Sequence, residues 1–553
     1  MLSCSDLSVQ IGKSGPKILD GITAKFPARS LNALVGPSGC GKTTLIKAFL
    51  GLIEASGEQK IGTSRSTSQD NRLGFVPQFS VAHENLTVFE SLHYTYRLTC
   101  SDRGSEQARI ERVLELVSLA EHSDKLVSSL SGGQLRRLSL AMELVSEPAC
   151  LICDEVTSGL DPLSEDQIIA LLRKLVEENQ KTFLCTIHNL AKLPDFDTIT
   201  VLYQGSLVFQ GSYPELLNWF ELDDPLNLYR ALAEHPLEIW TQHWSERNKP
   251  ERMEQKDDMD ASPQDIANES PSWSSQLRTL LDRRYKLLWR DKGYLWLLLS
   301  LTFGFPCVVV IFALGGLPEI QGLSLEPVGS LAQQLQDDLS YRISAMETAT
   351  LVTGLIMFQA VLLTLMGSNN GAREIAAERT IYEKERLGGL SPVAYATSKL
   401  LFTGSIALFQ GLWMGLFVKI VCEFPGPYFA QLGIMALCCI AMTFFCLSLS
   451  ALLLSAERAS LLSVYIVGFQ LPLSGVVLAL PDAVVWLFRP FINAYWAWAG
   501  YFGSMKDFMV YDAYRVSNAT WLPEFSTAAA VLLLHCVLSM LLVFYGCFRK
   551  QPL

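Results

Sequence analysis

Beyond about Tyr294 the chain carries repeated apolar runs of roughly twenty residues, the length at which an α-helix spans the hydrocarbon of a bilayer. Backbone in hydrocarbon must satisfy its own hydrogen bonds, so these runs are expected to cross as helices and this half reads as a membrane domain. The rest reads differently. Half of the 553 residues are hydrophobic (50%), but up to about Leu232 they fall in short runs alternating with helical patterns, as in a soluble α/β domain. Between the halves, "ERNKPERMEQKDDMDASPQDIANESPSWSS", Glu246 to Ser275, is rich in charge, Pro and Ser and reads as a flexible linker. The expected organisation is an α/β domain over 1–235, a linker over 236–275 and an all-α membrane domain over 276–553.

Several classes fall away on composition. The 13 cysteines form no paired framework, and none lies between Pro481 and Ser526, a long segment expected outside the membrane, so a structural disulfide there is not expected. The net charge of −11 arises from acidic soluble parts, while Lys and Arg gather beside the apolar runs; nothing in that balance fits a nucleic-acid partner. The opening "MLSCSDLSVQIGK" has no basic segment followed by an apolar core, so no cleavable signal is expected.

The soluble half contains "LNALVGPSGCGKTTLIKAFL": an apolar strand run, a glycine-rich turn, then a helical pattern. This is the context of a phosphate-binding loop. In the loop of Gly36, Pro37, Ser38, Gly39, Cys40 and Gly41, the three glycines would let backbone N–H groups turn toward phosphate oxygens at a helix N-terminus. Lys42 would reach the β and γ phosphates, and Thr43, followed by Thr44, would offer its hydroxyl to Mg²⁺. A second apolar run, "ACLICDE", ends in Asp154, placed to hold Mg²⁺, and Glu155, placed to orient or deprotonate water. "RLGFVPQ" ends in Gln78 and "TFLCTIH" in His188, polar residues at the strand ends where open α/β sheets form their ligand crevice.

A second glycine-rich patch, "LSGGQ" from Leu130 to Gln134, lacks a lysine of its own. Taken in order, "GPSGCGKTT", "FVPQ", "LSGGQ", "LICDE", "SGLD" and "TIH" resemble the full motif set of an ATP-binding cassette domain, a P-loop α/β fold. That resemblance implies ATP and Mg²⁺ as cofactors, with Thr43, Gln78 and Asp154 at the metal and Glu155, His188 and Gln78 in the hydrolytic role. It also implies that Ser131, Gly132, Gly133 and Gln134 cap the ATP of a partner chain, while Asp161 runs along the seam between the two. The chemistry agrees, since a hydroxyl and N–H groups at a helix start form an anion site that needs a cation from elsewhere.

In the second half six spans are expected, near 294–316, 345–368, 400–421, 429–453, 461–480 and 526–547. Arg278, Arg283, Arg284, Lys286, Arg290 and Lys292 precede the first, and Arg373, Arg379, Lys384, Arg386 and Lys399 lie between the second and third. The loop from Leu317 to Ala345 has only Arg342, so the ATP domain and both ends are expected in the cytoplasm. "SSQLRTLLDRRYKLLWRDK" reads as an amphipathic helix on the inner membrane surface. The segment from Ala372 to Leu401 resembles the coupling region of White-type transporters, the G subfamily, which place an ATP domain ahead of six spans. The resemblance implies a half-transporter acting as a dimer with an identical or different chain, exporting a lipid-like or amphipathic compound. An exporter of a polymer or glycolipid, or a nontransport signalling role, stays open beside it.

Gln359, Gln410, Gln470 and His535 are polar groups within the spans, read first as helix-packing contacts. The family resemblance places a central cavity near Met357, Phe358, Phe469 and Gln470. Many cassettes stack adenine on an aromatic residue near the N-terminus, whereas "LSVQIGKSGPKIL" has Val9, Gln10 and Ile11 and no ring. GTP is therefore expected to support a substantial share of the ATP rate in a turnover assay; a GTP rate at background would refute loose base selection.

Overall fold

The computed structural model describes residues 2–10, 15–61, 64–65, 73–78, 81–247, 271–313, 330–476, 480–517 and 522–549. They divide into two compact units: residues up to Thr279 with Thr380–Ser391, and Leu280–Arg379 with Pro392–Arg549.

In chain order the first unit begins β1 (Leu2–Gln10), β2 (Lys17–Phe26), β3 (Leu31–Val35), α1 (Lys42–Phe49), β4 (Ser56–Ile61), β5 (Ser64–Arg65) and β6 (Leu73–Val76). Then come α2 (Val88–Thr99), α3 (Glu106–Leu116), α4 (Gly132–Leu144), β7 (Cys150–Cys153), α5 (Pro162–Asn179), β8 (Thr182–Thr186), β9 (Thr198–Tyr203) and β10 (Ser206–Gly211). Three helices follow, α6 (Tyr213–Trp219), α7 (Leu228–Glu234) and α8 (Leu237–Arg247). The main sheet has the order β10-β9-β3-β8-β7-β6, parallel except for β10, and a smaller antiparallel sheet runs β2-β1-β4-β5.

β3, β7 and β8 are buried along their whole length. That is the consequence of covering a parallel sheet on both faces. Side chains alternate between two cores: Leu31, Ala33, Val35, Leu151, Cys153, Phe183 and Cys185 enter one, and Leu34, Cys150, Ile152 and Leu184 enter the other. Helix starts are set locally. Thr87 and Ser131 each close a capping box, with Glu90 and Gln134, and Asp161 caps α5 ahead of Pro162.

The linker expected from residue 236 starts later, because α8 buries Trp240 in the first core with Trp244 packed beside it. Two aromatic residues on one helical face outweigh the charged composition around them. The linker residues 248–270 lie outside the described residues.

The remaining helices are α9 (Trp273–Arg290), α10 (Lys292–Ile311), α11 (Leu331–Gly371), α12 (Arg379–Leu387), α13 (Pro392–Cys422) and α14 (Tyr428–Leu452). They are followed by α15 (Ala456–Gln470), α16 (Asp482–Phe488), α17 (Asn493–Gly503), α18 (Met509–Ser517) and α19 (Phe525–Phe548). Among the described residues 5 helices are long and apolar enough to cross a membrane, and they contain α10, α11, α13, α14 and α19. The sixth expected span, 461–480, is not one long helix. α15 has 15 residues, about 22 Å, and stops before Pro472, whose ring and missing N–H end the helical ladder in a 3-10 turn. α11 instead begins well before 345, at a capping box of Ser330 with Gln333.

The stretch from Pro481 to Ser526, expected outside the membrane, is not an open loop either. α17 is buried from Asn493 to Phe502, and its Trp498 stacks on Phe502 with centroids 6.0 Å apart. Its run is too short to read as a span. The polar groups singled out inside the spans all have partners. Gln359 donates to Met414 O (3.2 Å), Gln410 accepts from Asn370 (2.7 Å) and donates to Thr302 (3.1 Å), Gln470 accepts from Ala494 N–H (3.1 Å), and His535 meets Asn493 and Pro490 O. Near the start of α13, Arg284 grips Glu374 with two contacts of 2.5 and 2.7 Å, and Lys399 bridges Glu374 and Glu378.

α13 and α14 approach closely where Gly411 faces Ala436: a Cβ on Gly411 would lie 2.4 Å from Ala436 Cα. Gly411→Ala is expected to cost about 1–3 kcal/mol of stability through overpacking. Thermal unfolding in nanodiscs checks this against Gly433→Ala, whose added Cβ meets nothing within 4 Å and is expected to be nearly neutral.

Candidate nucleotide site

The site is assembled by register. Leu34 of β3 pairs with Thr186 of β8, and Cys153 of β7 pairs with Cys185, so the residues after β3 and β7 emerge level with the end of β8. Three strands thus deliver the phosphate loop, Asp154 and Glu155, and His188 to one edge of the sheet.

In the loop from Gly36 to Thr44, Gly36, Cys40, Gly41 and Lys42 are buried while Ser38, Gly39 and Thr43 are exposed. A side chain at Gly36 would stand 2.2 Å from Leu202 O. At Gly39, with φ +81°, nothing lies within 4 Å, so the loop is tight beneath and open above. Lys42 Nζ donates to Gly36 O at 2.7 Å and Pro37 O at 3.1 Å, which folds its ammonium back over the loop. The backbone donors and this cation fit a polyphosphate.

Glu155 is held at both carboxylate oxygens. Gln78 Nε2 donates to Oε2 at 2.5 Å, and His188 Nε2 contacts Oε1. Gln78, Glu155 and His188, separate in sequence, therefore meet around one carboxylate. Glu155 sits at φ +50°, a left-handed conformation unusual for a residue with a side chain. Asp154 is buried, and that burial pushes its carboxyl above the ordinary value against the opposing pull of the Thr186 hydrogen bond and the Lys42 charge. Asp154 carboxylate, Thr43 hydroxyl and Gln78 amide oxygen are hard donors of the kind Mg²⁺ takes beside phosphate and water.

Ser131 and Gly132 are exposed, with Gly133 and Gln134 half-buried at the start of α4. The Ser131 hydroxyl accepts from Gln134 N–H at 3.3 Å, and the Gln134 side chain accepts from Ser131 N–H at 3.0 Å. No lysine belongs to this cap. Asp161, also exposed, accepts from Ser164 N–H and hydroxyl, contacts that hold its carboxyl below the ordinary range.

Three features escaped the sequence. Thr186 touches both Asp154 and Glu155. Arg136 of α4, largely buried, donates to Pro77 O at 3.3 Å, one residue from Gln78. Glu143 of α4 accepts from Phe75 N–H at 3.2 Å and pairs with Lys384 of α12 at 3.1 Å. Thr186 stood in plain view two residues before His188; the other two required knowing which face of α4 is turned inward. In the membrane domain, Met357 and Gln470 are buried in packing, Phe358 lies edge-on to Phe312 at 5.7 Å, and Phe469 is exposed.

The family model described as ABC transporter matches residues 19–158, and that described as ABC-2 type transporter matches 275–496. The chain belongs to the ATP-binding cassette transporters. This cassette chain is an integral membrane protein with an ATPase domain ahead of its membrane domain. It is 28% identical over 480 residues to the ABC transporter ATP-binding/permease protein Rv1747 of Mycobacterium tuberculosis, covering 83% of this chain and 52% of that one. It is 34% identical over 226 residues to ABC transporter G family member 7 of Arabidopsis thaliana, covering 38% of this chain and 31% of the relative. It is 30% identical over 349 residues to the ABC multidrug transporter AFR2 of Cryptococcus neoformans, covering 52% and 22%. The chain thus spans about half or less of the length of these relatives.

The clamp on Glu155 predicts the outcome of an isosteric change. Glu155→Gln is expected to slow ATP hydrolysis by about 10²- to 10⁴-fold while sparing ATP binding. Single-turnover kinetics with a nucleotide-binding measurement checks this; near-normal turnover would remove Glu155 from the hydrolytic role.

Proposed function

We propose that the cassette chain is half of an ATP-driven exporter of lipid-like or amphipathic compounds, completed by a second chain. The observation that carries this reading is the exposed cap at Ser131 and Gly132 in "LSGGQ", the signature segment that opens α4, an anion site with no lysine in that segment. A second chain's Lys42, with its ATP, would complete it. Dimer closure on ATP then needs only differential binding: moving a population from 1:99 to 99:1 takes about 5.5 kcal/mol. Mg²⁺, held by Thr43, Gln78 and Asp154, would neutralise charge on the β and γ phosphates.

Hydrolysis follows from the clamp. Gln78 and His188 fix both oxygens of Glu155, which takes a proton from the attacking water as its oxygen bonds to the γ-phosphorus. The bond from the γ-phosphorus to the bridging oxygen breaks, leaving ADP and inorganic phosphate. Lys42 exchanges its two loop carbonyls for phosphate oxygens. Coupling to the membrane domain is assigned to the segment from Ala372 to Leu401, with Lys384 paired to Glu143 on the signature helix itself. Export is supported by relatives named as G-family and multidrug transporters. The ATPase domain is assigned to the cytoplasm, in keeping with the basic residues that flank the spans.

The test is ATPase activity of the chain purified alone in lipid nanodiscs, with its mass determined alongside, comparing wild type with Ser131→Arg. A dimer whose activity vanishes in the variant is expected. An active monomer, or a variant with full activity, would overturn the reading; an inactive monomer would replace the identical partner with a different chain.

A further inference from the structure

Asp154 and Glu155 are consecutive, yet their tasks require them to point to different places. Asp154 turns inward and is buried, whereas Glu155 turns toward the crevice. One hydroxyl lies between them. Thr186 Oγ1 accepts the Glu155 backbone N–H at 2.6 Å and donates its proton to Asp154 Oδ1 at 2.9 Å. Because Asp154 takes that proton, a lone pair on the oxygen is left to face the Glu155 peptide. Thr186 is 0% exposed and is the last residue of β8, paired with Leu34 on β3, so its position is set by sheet register rather than by a loop.

Glu155 is where this matters most. Its left-handed backbone, at φ +50°, is one that side-chain-bearing residues seldom adopt and that persists when surrounding contacts enforce it. The Thr186 acceptor ties down the amide of that residue. From there the side chain reaches Gln78 on one oxygen and His188 on the other. His188 is two residues beyond Thr186 on the same strand exit, so a single segment holds the backbone of Glu155 with one residue and its carboxylate with another.

We propose that Thr186 is a positioning residue for hydrolysis: its hydroxyl locks the Glu155 peptide in the left-handed conformation against Asp154, aiming the carboxylate between Gln78 and His188. Thr186 has no contact with nucleotide in this role and acts through the two acids. The proposal rests on the reading of Glu155 as the hydrolytic base, and it adds the requirement that this base be held by the first residue of "TIH", to which the motif reading gives no role.

The experiment compares Thr186→Val, which keeps the branched shape and removes the hydroxyl, with Thr186→Ser, which keeps the hydroxyl, in full-length chain in nanodiscs. Misaim of the base in Thr186→Val is expected to lower kcat on the order of 10- to 100-fold with KM for ATP within about twofold of wild type. Thr186→Ser is expected to recover kcat to within about threefold of wild type, and Thr186→Val added to Glu155→Gln is expected to cause no further loss, as for residues that act as a unit. Wild-type kcat in Thr186→Val would overturn the proposal. So would equal losses in Val and Ser, which would assign the effect to packing of the methyl group. If Thr186→Val does not fold, as judged by ATP binding and thermal unfolding, Thr186→Cys carries the same test with a poor hydrogen-bonding group of similar size. Glu155→Gln measured alone separates the two levels: its retention of turnover would refute the base, whereas its inactivity beside a normal Thr186→Val would refute only the positioning role.

Discussion

The register of three parallel strands is the constraint on which the nucleotide site depends. β3, β8 and β7 are paired so that Leu34, Thr186 and the residue after Cys153 finish level with one another. A slip of one residue in any pair would turn its side chains to the opposite face of the sheet. The two cores make such a slip costly, because each strand sends side chains of different size into both, and a slip would misfit both and break the buried Asn32 hydrogen bonds to Ser30 and Phe183 O. Hydrophobic burial far from the ligand thereby fixes the placement of the acids. The fully buried strands "LNALV", "CLIC" and "TFLCT" are the means by which two carboxylates, a hydroxyl and an imidazole reach one edge.

The signature helix extends that order in a second direction. α4 has 13 residues and is about 20 Å long. Its N-terminus presents the exposed Ser131 cap, its first turns send Arg136 to Pro77 O beside Gln78, and near its end Glu143 receives both Phe75 N–H and Lys384. β6 is an edge strand of the sheet, so the Glu143 contact also satisfies an N–H that no neighbouring strand would take. One unbroken helix thus touches β6, the residues after it, and the segment around α12. Its contacts cannot shift independently, because a helix moves as a body.

The ATPase domain was largely legible in the sequence because its information is local. The glycine-rich turn follows a strand run and opens a helix, and the capping box at Ser131 can be read from Ser and Gln three residues apart. The clamp was not legible as geometry: Gln78, Glu155 and His188 were separate candidates, and only strand order brings them around one carboxylate. Thr186 was missed because a threonine at the end of a strand is ordinary in composition; what distinguishes it is two hydrogen bonds across a parallel pair. In the membrane half, hydropathy found the long helices and misjudged what Pro472 interrupts. It also gave no sign of α17, whose run from Ala494 to Phe502 is apolar and aromatic and buried but too short for a span-length window.

The polar interior of the membrane domain obeys a different rule from the nucleotide site. Arg284, Lys399, Glu374 and Glu378 form a linked cluster of opposite charges in which Arg284 also lies 4.4 Å from the Phe402 ring centroid. Lys419, by contrast, is buried with neutral acceptors: Phe424 O at 2.9 Å, Gly426 O at 3.1 Å and Gln431 Oε1 at 2.5 Å. Three ammonium donors meet three oxygens, so the charge is solvated by the turn between α13 and α14 instead of by a carboxylate. The two arrangements differ in what their loss entails. Removing one member of a buried ion pair leaves an uncompensated charge and costs about 3–5 kcal/mol. Removing Lys419 takes the charge away with the side chain, leaving carbonyls at a helix end that water or a rearranged turn can satisfy. The cluster around Glu374 is therefore a constraint on the whole fold of that end, joining α9, the turn after α11 and α13, whereas Lys419 is a constraint on one turn.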